Sequence, residues 1–266
     1  MAPIPDIMLY VQLGTVVVCL LYASVVDIIK REVSDIPWII MALEGLITTI
    51  IFLVYSENRK SEWITIAINL GLGIIIGLTL YYTGIMGGAD AKALMALSIN
   101  TAIYPFNFEL TSYSVYSYLP PIFNTFFNWL LVMIIIYPIP LLVYNLILKI
   151  RGTNLFEEVH ANMADKILML ISGYIIPVEK ATKRVDVVYS EIYDDKNEKW
   201  KLKHFMAVQE IEEEEEFKKQ IEEKVEKTEK KKIWVKVLPP GILFLLIGYI
   251  INIFVGNVFF AILLQS

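Results

Sequence analysis

Two aspartates at the ends of apolar stretches are the residues of this sequence best suited to do chemistry. Asp27 follows a run that carries no charge from residue 7 to residue 26, and Asp90 stands in "GIMGGADAKAL". Two carboxyl groups brought within about 3–6 Å in a partly desolvated site share one proton, because both cannot easily ionise. One can then take a proton from an attacking water while the other protonates a carbonyl oxygen. The pair predicts acid–base hydrolysis of a peptide bond.

The residues around these acids suggest how the site is shaped and leave little competing chemistry. Gly87 and Gly88 break the preceding apolar run and let the backbone approach Asp90 closely. No serine, cysteine or histidine constellation competes with the acid pair. The single cysteine, Cys19, can form neither an internal disulfide nor a cysteine zinc site. We therefore expect no metal and no cofactor.

The composition places this chemistry in a membrane. Hydrophobic residues make up 56% of the 266 residues, and the mean hydropathy is +0.58, far above an ordinary soluble domain. The formal net charge of −5 predicts little about partners, because most charged residues lie between residues 149 and 232. The expected partner is the lipid bilayer, and no nucleic acid is expected.

Apolar stretches of about 20 residues, the length that crosses a bilayer as a helix, indicate six membrane spans. The first run lacks the basic residues of a removable signal, so we expect it to stay in the protein. The fold class predicted is an all-α polytopic membrane protein with about six transmembrane helices. The six candidates are Ile7–Val26, Ile36–Tyr55, Trp63–Met86, Ala93–Phe106, Leu119–Leu148 and Val235–Leu264.

The basic residues predict which side of the membrane carries the acids. Loops on the opposite side contain only Arg59 and Lys60 as basic residues. Positive charge prefers the cytoplasm, so Asp27 and Asp90, at the ends of spans one and three, are expected at the cytoplasmic face. The loops after spans one, three and five share that side and carry Lys30, Arg31, Lys92 and the lysine-rich block beyond Lys149.

The charged block predicts a small cytoplasmic α+β insert, residues 149–233, between a membrane domain (1–148) and a last span (234–266). "RVDVVYSEIY" and "EKWKLKHFMAV", separated by "DDKN", are typical of a β-hairpin. The glutamate- and lysine-rich segment after them predicts an exposed charged helix, since its opposite charges recur at i, i+4 spacing. A surface for a partner or for anionic lipid is the alternative.

The two acidic segments together resemble a known family. "SVVDIIKREVSD", ending at Asp35, and "GGADAK", ending at Lys92, look like the two motifs of the GxGD intramembrane aspartyl proteases, in the archaeal prepilin and preflagellin peptidase branch. The resemblance implies that Asp27 and Asp90 are catalytic, and that Asp35 and Lys92 shape the site. Val33 and Ser34 replace the usual Ile-Pro, and Ala89 replaces the second glycine of the GxGD motif.

The same resemblance implies a substrate and excludes an activity. The expected substrates are pilin or archaeal flagellin precursors, whose short basic leader precedes a hydrophobic helix. Many bacterial relatives carry a zinc-binding cysteine cluster and a methyltransferase activity, and we expect neither in a chain with one cysteine. The resemblance does not indicate an oligomeric state.

Two other functions fit an intramembrane acid pair. A proton- or cation-coupled transporter uses such acids, but there they lie nearer the middle of the bilayer, between repeated halves that this chain lacks. A non-catalytic membrane scaffold would recruit partners through the insert and tolerate loss of both aspartates.

Span three also carries glycines at GxxxG spacing. Gly73 and Gly77 predict close packing of this helix against a neighbour.

Overall fold

The computed structural model describes residues 6–55, 59–83, 86–102, 119–184, 187–202, 211–228, 230–237 and 239–265. The helices are α1 (Asp6–Lys30), α2 (Ile36–Tyr55), α3 (Arg59–Tyr82), α4 (Gly88–Asn100), α5 (Pro121–Ile135), α6 (Pro138–Ile150), α7 (Met163–Ser172), α8 (Val178–Ala181), α9 (Ile211–Thr228), α10 (Gly241–Phe254) and α11 (Val258–Gln265). The strands are β1 (Val159–His160), β2 (Gly173–Pro177), β3 (Val187–Tyr189), β4 (Glu191–Asp194), β5 (Lys199–Leu202) and β6 (Lys232–Val237).

The chain folds into two compact units. The first, here called the membrane unit, comprises Met1–Val132 and Pro240–Ser266, and the second, here called the inserted unit, comprises Met133–Pro239. The protein is mostly helical, with a small α/β region. Within the part of the chain that the structure describes, four segments are long and apolar enough to cross a membrane: Tyr10–Lys30, Ile36–Val54, Trp63–Tyr82 and Pro121–Ile150. The helices α4 and α10 are shorter, at 13 and 14 residues.

Two of the predicted continuous spans are interrupted where proline or glycine disfavours a regular helix. The segment Leu119–Leu148 divides into α5 and α6, and α6 begins at Pro138, which has no N–H to donate within a helix. In Val235–Leu264, Val235 belongs to strand β6. The helix that follows stops before Gly256, whose φ of 79° is left-handed.

Close contacts hold α3 and α4 together in the membrane unit. A Cβ on Gly73 would overlap the side chain of Ser98, and a Cβ on Gly77 would lie 2.9 Å from Met95 Cγ. The predicted role of these two glycines in helix packing is therefore confirmed. Asn69 joins them with a hydrogen bond to the Ser98 carbonyl oxygen (2.8 Å), of the kind that links helices in lipid.

Buried amides and one acid connect further helices of this unit. Asn100, near the end of α4, donates to the carboxylate of Glu44 in α2 and accepts a hydrogen bond from Gln12 in α1. Asn69 also accepts from the backbone N–H of Ile122 (3.0 Å), at the start of α5. Such internal bonds satisfy polar groups where no water is available to do so.

The inserted unit contains two three-stranded sheets, with strand orders β1-β5-β4 and β2-β6-β3. Strands β4 and β5 form the predicted antiparallel hairpin, with Asp194 opposite Lys199. Residues 203–208 of the predicted second strand lie outside the described residues. The prediction of one strand over "RVDVVYSEIY" is wrong, because β3 pairs with β6 and β4 pairs with β5. The chain changes sheets at Ser190, whose N–H donates to the Trp234 carbonyl (2.9 Å).

The charged helix α9 has a buried face, so the prediction of an exposed helix is only half right. Ile221 and Val225 are 4% and 6% exposed, and Phe217 packs against the same core. These three residues follow one another at i, i+4 spacing, which places them on one side of a helix. The surrounding glutamates and lysines obscure this apolar stripe in the sequence.

Candidate functional site

Asp27 lies in the last turn of α1, where the sequence predicts it. The helix ends at Lys30, and the next residue, Arg31, has a left-handed φ of 59° and donates its N–H to the Asp27 carbonyl oxygen (3.0 Å). A left-handed residue commonly ends a helix in this way. The Asp27 side chain is partly buried. The turn therefore holds Asp27 and Arg31 close together at the end of α1.

Asp90 begins a helix, whereas the sequence predicts it at the end of span three. It lies in the first turn of α4, behind Gly87 as the extended N-cap residue (φ −67°, ψ 160°). Its carboxylate accepts a hydrogen bond from the Gly87 N–H. This is half of a capping box, in which the third helical residue satisfies the free N–H of the N-cap. The glycine break after α3 thus starts a new helix that orients the acid.

The structure brings Asp27 and Asp90 within electrostatic range of each other. They come from α1 and α4, which pack together in the membrane unit, and both side chains are partly buried. Arg31 interacts electrostatically with both acids. From the sequence, Arg31 is only a marker of membrane orientation, although its position four residues after Asp27 is a signal for such a contact.

Asp35 and Lys92 form an ion pair beside this acid pair. Lys92 Nζ lies 2.7 Å from Asp35 Oδ1, and the two side chains are about half exposed. Asp35 immediately precedes α2, where its carbonyl oxygen accepts from the Ile39 N–H (3.0 Å). The ion pair joins the α1–α2 connection to α4, two residues after Asp90.

The space beside Gly87 and Gly88 is not crowded by neighbouring side chains. A Cβ on Gly87 would lie 3.6 Å from Asp90 Oδ2, and one on Gly88 would lie 3.5 Å from Tyr81 Cε2, both ordinary contact distances. Ala89 is partly buried. The close approach involves a residue that the sequence argument does not mention. A Cβ on Gly241, the first residue of α10, would lie 2.6 Å from each oxygen of Asp90.

This arrangement can hold and transfer protons. Two partly buried carboxyl groups that interact share a proton more readily than two hydrated ones. A backbone N–H and a guanidinium nearby stabilise the negative charge that remains. One group is then ready to accept a proton and the other to donate one, which general acid–base catalysis requires.

Comparisons with known proteins place this site in a family context. Residues 15–182 match the type IV leader peptidase family, and residues 165–258 match the archaeal peptidase A24 C-terminus of type II. The chain is 32% identical over 197 residues to a preflagellin peptidase of Methanococcus voltae, covering 67% of this chain and 76% of the relative. It is 26% identical over 270 residues to an uncharacterised protein of Methanocaldococcus jannaschii, covering 89% of each. The family match spans both acids and the Asp35–Lys92 ion pair, and the chain belongs to the type IV leader peptidase family.

Proposed function

We propose that this chain uses Asp27 and Asp90 as a catalytic pair to remove the short basic leader from type IV pilin-like or flagellin precursors. Family membership makes it a membrane protease that removes leader peptides. The observation that supports these two residues is that Asp27 acts electrostatically on Asp90 from a separate helix, beside the Gly87 N–H. Glu44, an acid within α2, is instead hydrogen-bonded to Asn100.

The reaction follows from a pair that shares one proton. The ionised carboxylate takes a proton from water as the water oxygen attacks the scissile carbonyl carbon, and the protonated carboxyl donates to the carbonyl oxygen. The tetrahedral intermediate collapses when the first acid gives its proton to the leaving nitrogen. The second acid takes a proton back from a hydroxyl of the intermediate, which restores the starting state. The proton belongs to the pair, so neither acid has a fixed role in the resting enzyme.

The proposed site faces the cytoplasm, and the chain crosses the membrane six times. Lys30 and Arg31 follow Asp27, and Lys92 follows Asp90, so the acids lie beside positive charge of the kind retained in the cytoplasm. In this scheme α4 and α10 contribute to the two additional spans. A site at this face meets the junction between a substrate's basic leader and its hydrophobic helix.

The test is a cleavage assay in membranes with a leader-bearing flagellin or pilin precursor. Wild type is compared with Asp27→Asn and Asp90→Asn at matched expression, because amides keep the shape of the side chains and remove the proton chemistry. Glu44→Gln is the matched control, since it changes an acid of the same unit that lies in a separate hydrogen-bonded cluster. We expect wild type and Glu44→Gln to shorten the precursor and both asparagine variants to leave it intact. Cleavage by either asparagine variant at the wild-type rate would refute the catalytic pair.

A further inference from the structure

Gly241 occupies the position in the membrane unit where a side chain would collide with Asp90. It is the first residue of α10 and is buried. A Cβ built there would lie 2.6 Å from both carboxylate oxygens and 2.7 Å from Cγ of Asp90. Real Cβ atoms essentially never come closer than 3.0 Å to another heavy atom, and ordinary contact begins at 3.4 Å. The carboxyl group of Asp90 therefore occupies the space that an alanine at this position would need.

Other glycines show that this contact differs from ordinary helix packing. Gly248, two turns further along α10, is also crowded, but its Cβ would meet the Trp129 backbone nitrogen at 2.7 Å. Gly87 is next to Asp90, yet its Cβ would lie at an ordinary 3.6 Å. Among the glycines of the described ranges, Gly241 is the one at which an acid of the proposed site fills the space that a Cβ would occupy.

Gly241 cannot easily move away from Asp90. Its carbonyl oxygen accepts a hydrogen bond from the buried Trp129 indole Nε1–H (3.2 Å). Pro240 before it accepts from the Phe244 N–H (3.1 Å), which fixes the first turn of α10. Asp90 is held in turn by its hydrogen bond from Gly87. A new methyl group would therefore displace the carboxylate of Asp90, because the backbone on each side is tied in place.

We propose that Gly241 is a positioning residue, whose lack of a side chain sets where the Asp90 carboxylate lies relative to Asp27. This inference rests on the proposed function of the acid pair. To reach ordinary contact, the carboxylate must recede from a new Cβ by about 1 Å, a misplacement that costs on the order of 100-fold in rate.

The experiment compares Gly241→Ala with Gly248→Ala in the full-length protein purified in detergent, using a flagellin or pilin precursor. Both substitutions add one methyl group to a crowded face of α10, and only the first meets an acid. We expect Gly241→Ala to lower kcat by about 100-fold, with KM changed less than twofold. Gly248→Ala should lower the melting temperature at least as much but kcat by no more than about tenfold, because it reaches Asp90 only through Trp129. The pH profile of kcat should change for Gly241→Ala and not for Gly248→Ala.

A second variant tests the same idea without crowding the site. Trp129→Phe removes the hydrogen bond to the Gly241 carbonyl and keeps an aromatic ring in place. We expect a loss of kcat of about tenfold, with KM unchanged, because the first turn of α10 is no longer held against Asp90. This variant decides the question if Gly241→Ala does not accumulate as folded protein.

The outcomes separate this inference from the proposed function. If Asp27→Asn and Asp90→Asn are inactive while Gly241→Ala and Trp129→Phe keep the wild-type kcat, the catalytic pair stands and the positioning role is wrong. Equal losses of kcat in Gly241→Ala and Gly248→Ala, with the same pH profile, would also overturn it, because general packing would then explain both. If the asparagine variants cut normally, the proposed function itself fails.

Discussion

Glu191 of the inserted unit and Asp90 of the membrane unit are two acids with opposite surroundings. Glu191 is 0% exposed, and its carboxylate lies 2.6 Å from Lys230 Nζ and accepts the Trp234 N–H at 2.7 Å. Asp90 interacts with a second carboxylate, Asp27, and receives its hydrogen bond from a backbone N–H. Arg31 is the cation near Asp90, and it is shared between both acids.

The difference suits the two acids to different roles. A buried carboxylate with its own ammonium partner and a backbone donor is neutralised in place, so it gains little by exchanging protons. An acid that meets another acid is disfavoured in the charged state and exchanges a proton with its neighbour. Burial of an acid therefore does not by itself mark a catalytic group. The acid must also interact with a second acid with which it can share a proton.

Removing the two acids of the proposed catalytic pair should sharpen this comparison most. We expect Asp27→Asn, Asp90→Asn and the double variant to lose cleavage by about the same factor, on the order of 10⁴-fold, because the pair works as one unit. Initial rates of precursor cleavage at matched enzyme concentration provide the measurement. A double variant whose loss is the product of two partial losses would contradict a shared proton.

Breaking the Glu191–Lys230 pair should change stability instead. Lys230→Met leaves Glu191 buried without its cation and removes the contact of Lys230 with the Trp200 ring (4.5 Å). We expect the local opening free energy of β6 to fall by about 3–5 kcal/mol. Hydrogen exchange of the β6 amides in the full-length protein measures it, since exchange reports the opening of that segment.

Lys231→Met is the matched control for this variant, because Lys231 is exposed and next in sequence. It should change β6 protection little. An effect as large as that of Lys230→Met would mean that lost positive charge, and not the buried pair, explains the result.

The stability of the inserted unit should depend on pH through two acids, Glu191 and Asp194, in opposite directions. Burial raises the pKa of Glu191 above its ordinary value despite the opposing effect of Lys230. The folded state then binds more protons than the unfolded state, so the free energy of unfolding falls as pH rises from about 4.5 to the raised value. We expect Glu191→Gln to remove this slope, which one proton limits to about 1.4 kcal/mol per pH unit. Protection of β6 measured across pH tests it, and an unchanged slope would exclude Glu191 as the source.

The pKa of Asp194 is shifted in the opposite direction, so this residue serves as the internal reference. Hydrogen bonds from Lys201 and Asn197 hold the pKa of this partly buried acid well below its ordinary value of 3.8. Its contribution to stability is present above pH 3.8 and is lost as pH falls below it. This loss at low pH should persist in Glu191→Gln.

The Asp35–Lys92 ion pair should have the smallest effect. Both side chains are about half exposed, and such pairs contribute about 0–1 kcal/mol. Asp35→Asn or Lys92→Gln should lower kcat/KM less than about fivefold, because the pair supports the first turn of α4 and does not enter the proposed reaction. The exchange Asp35→Lys with Lys92→Asp should restore activity. A loss above 100-fold that the exchange fails to restore would assign one of these residues a direct role.

Much of the membrane unit can be predicted from local pattern. The long apolar runs predict helices because a bilayer requires internally hydrogen-bonded segments of that length, and α2 occupies the expected residues 36–55. The two acids stand out for a similar reason, since charge at the end of an apolar run is costly. The position of Asp90 at the start of α4 is harder to predict, because a glycine break is compatible with either the end or the beginning of a helix.

Other features depend on residues that are far apart in the chain. Glu191 in β4 lies beside Lys230, which is between α9 and β6, whereas the i, i+4 spacing of the charged segment pairs Lys230 with Glu226. The split of "RVDVVYSEIY" between two sheets likewise depends on where β6 lies. Neither follows from local preference, because each local segment is compatible with several pairings.

The order and kinds of residues are thus enough to identify a membrane chain with two acids suited to share a proton, since helix length, charge and side-chain chemistry are local properties. Tertiary packing decides what surrounds those acids. It brings Asp90 near Asp27 and Arg31 and places Gly241, far along the chain, against the carboxylate of Asp90. A glycine has no side-chain chemistry that a sequence could reveal. Its role becomes apparent only when the structure identifies the group that lies where its side chain would be.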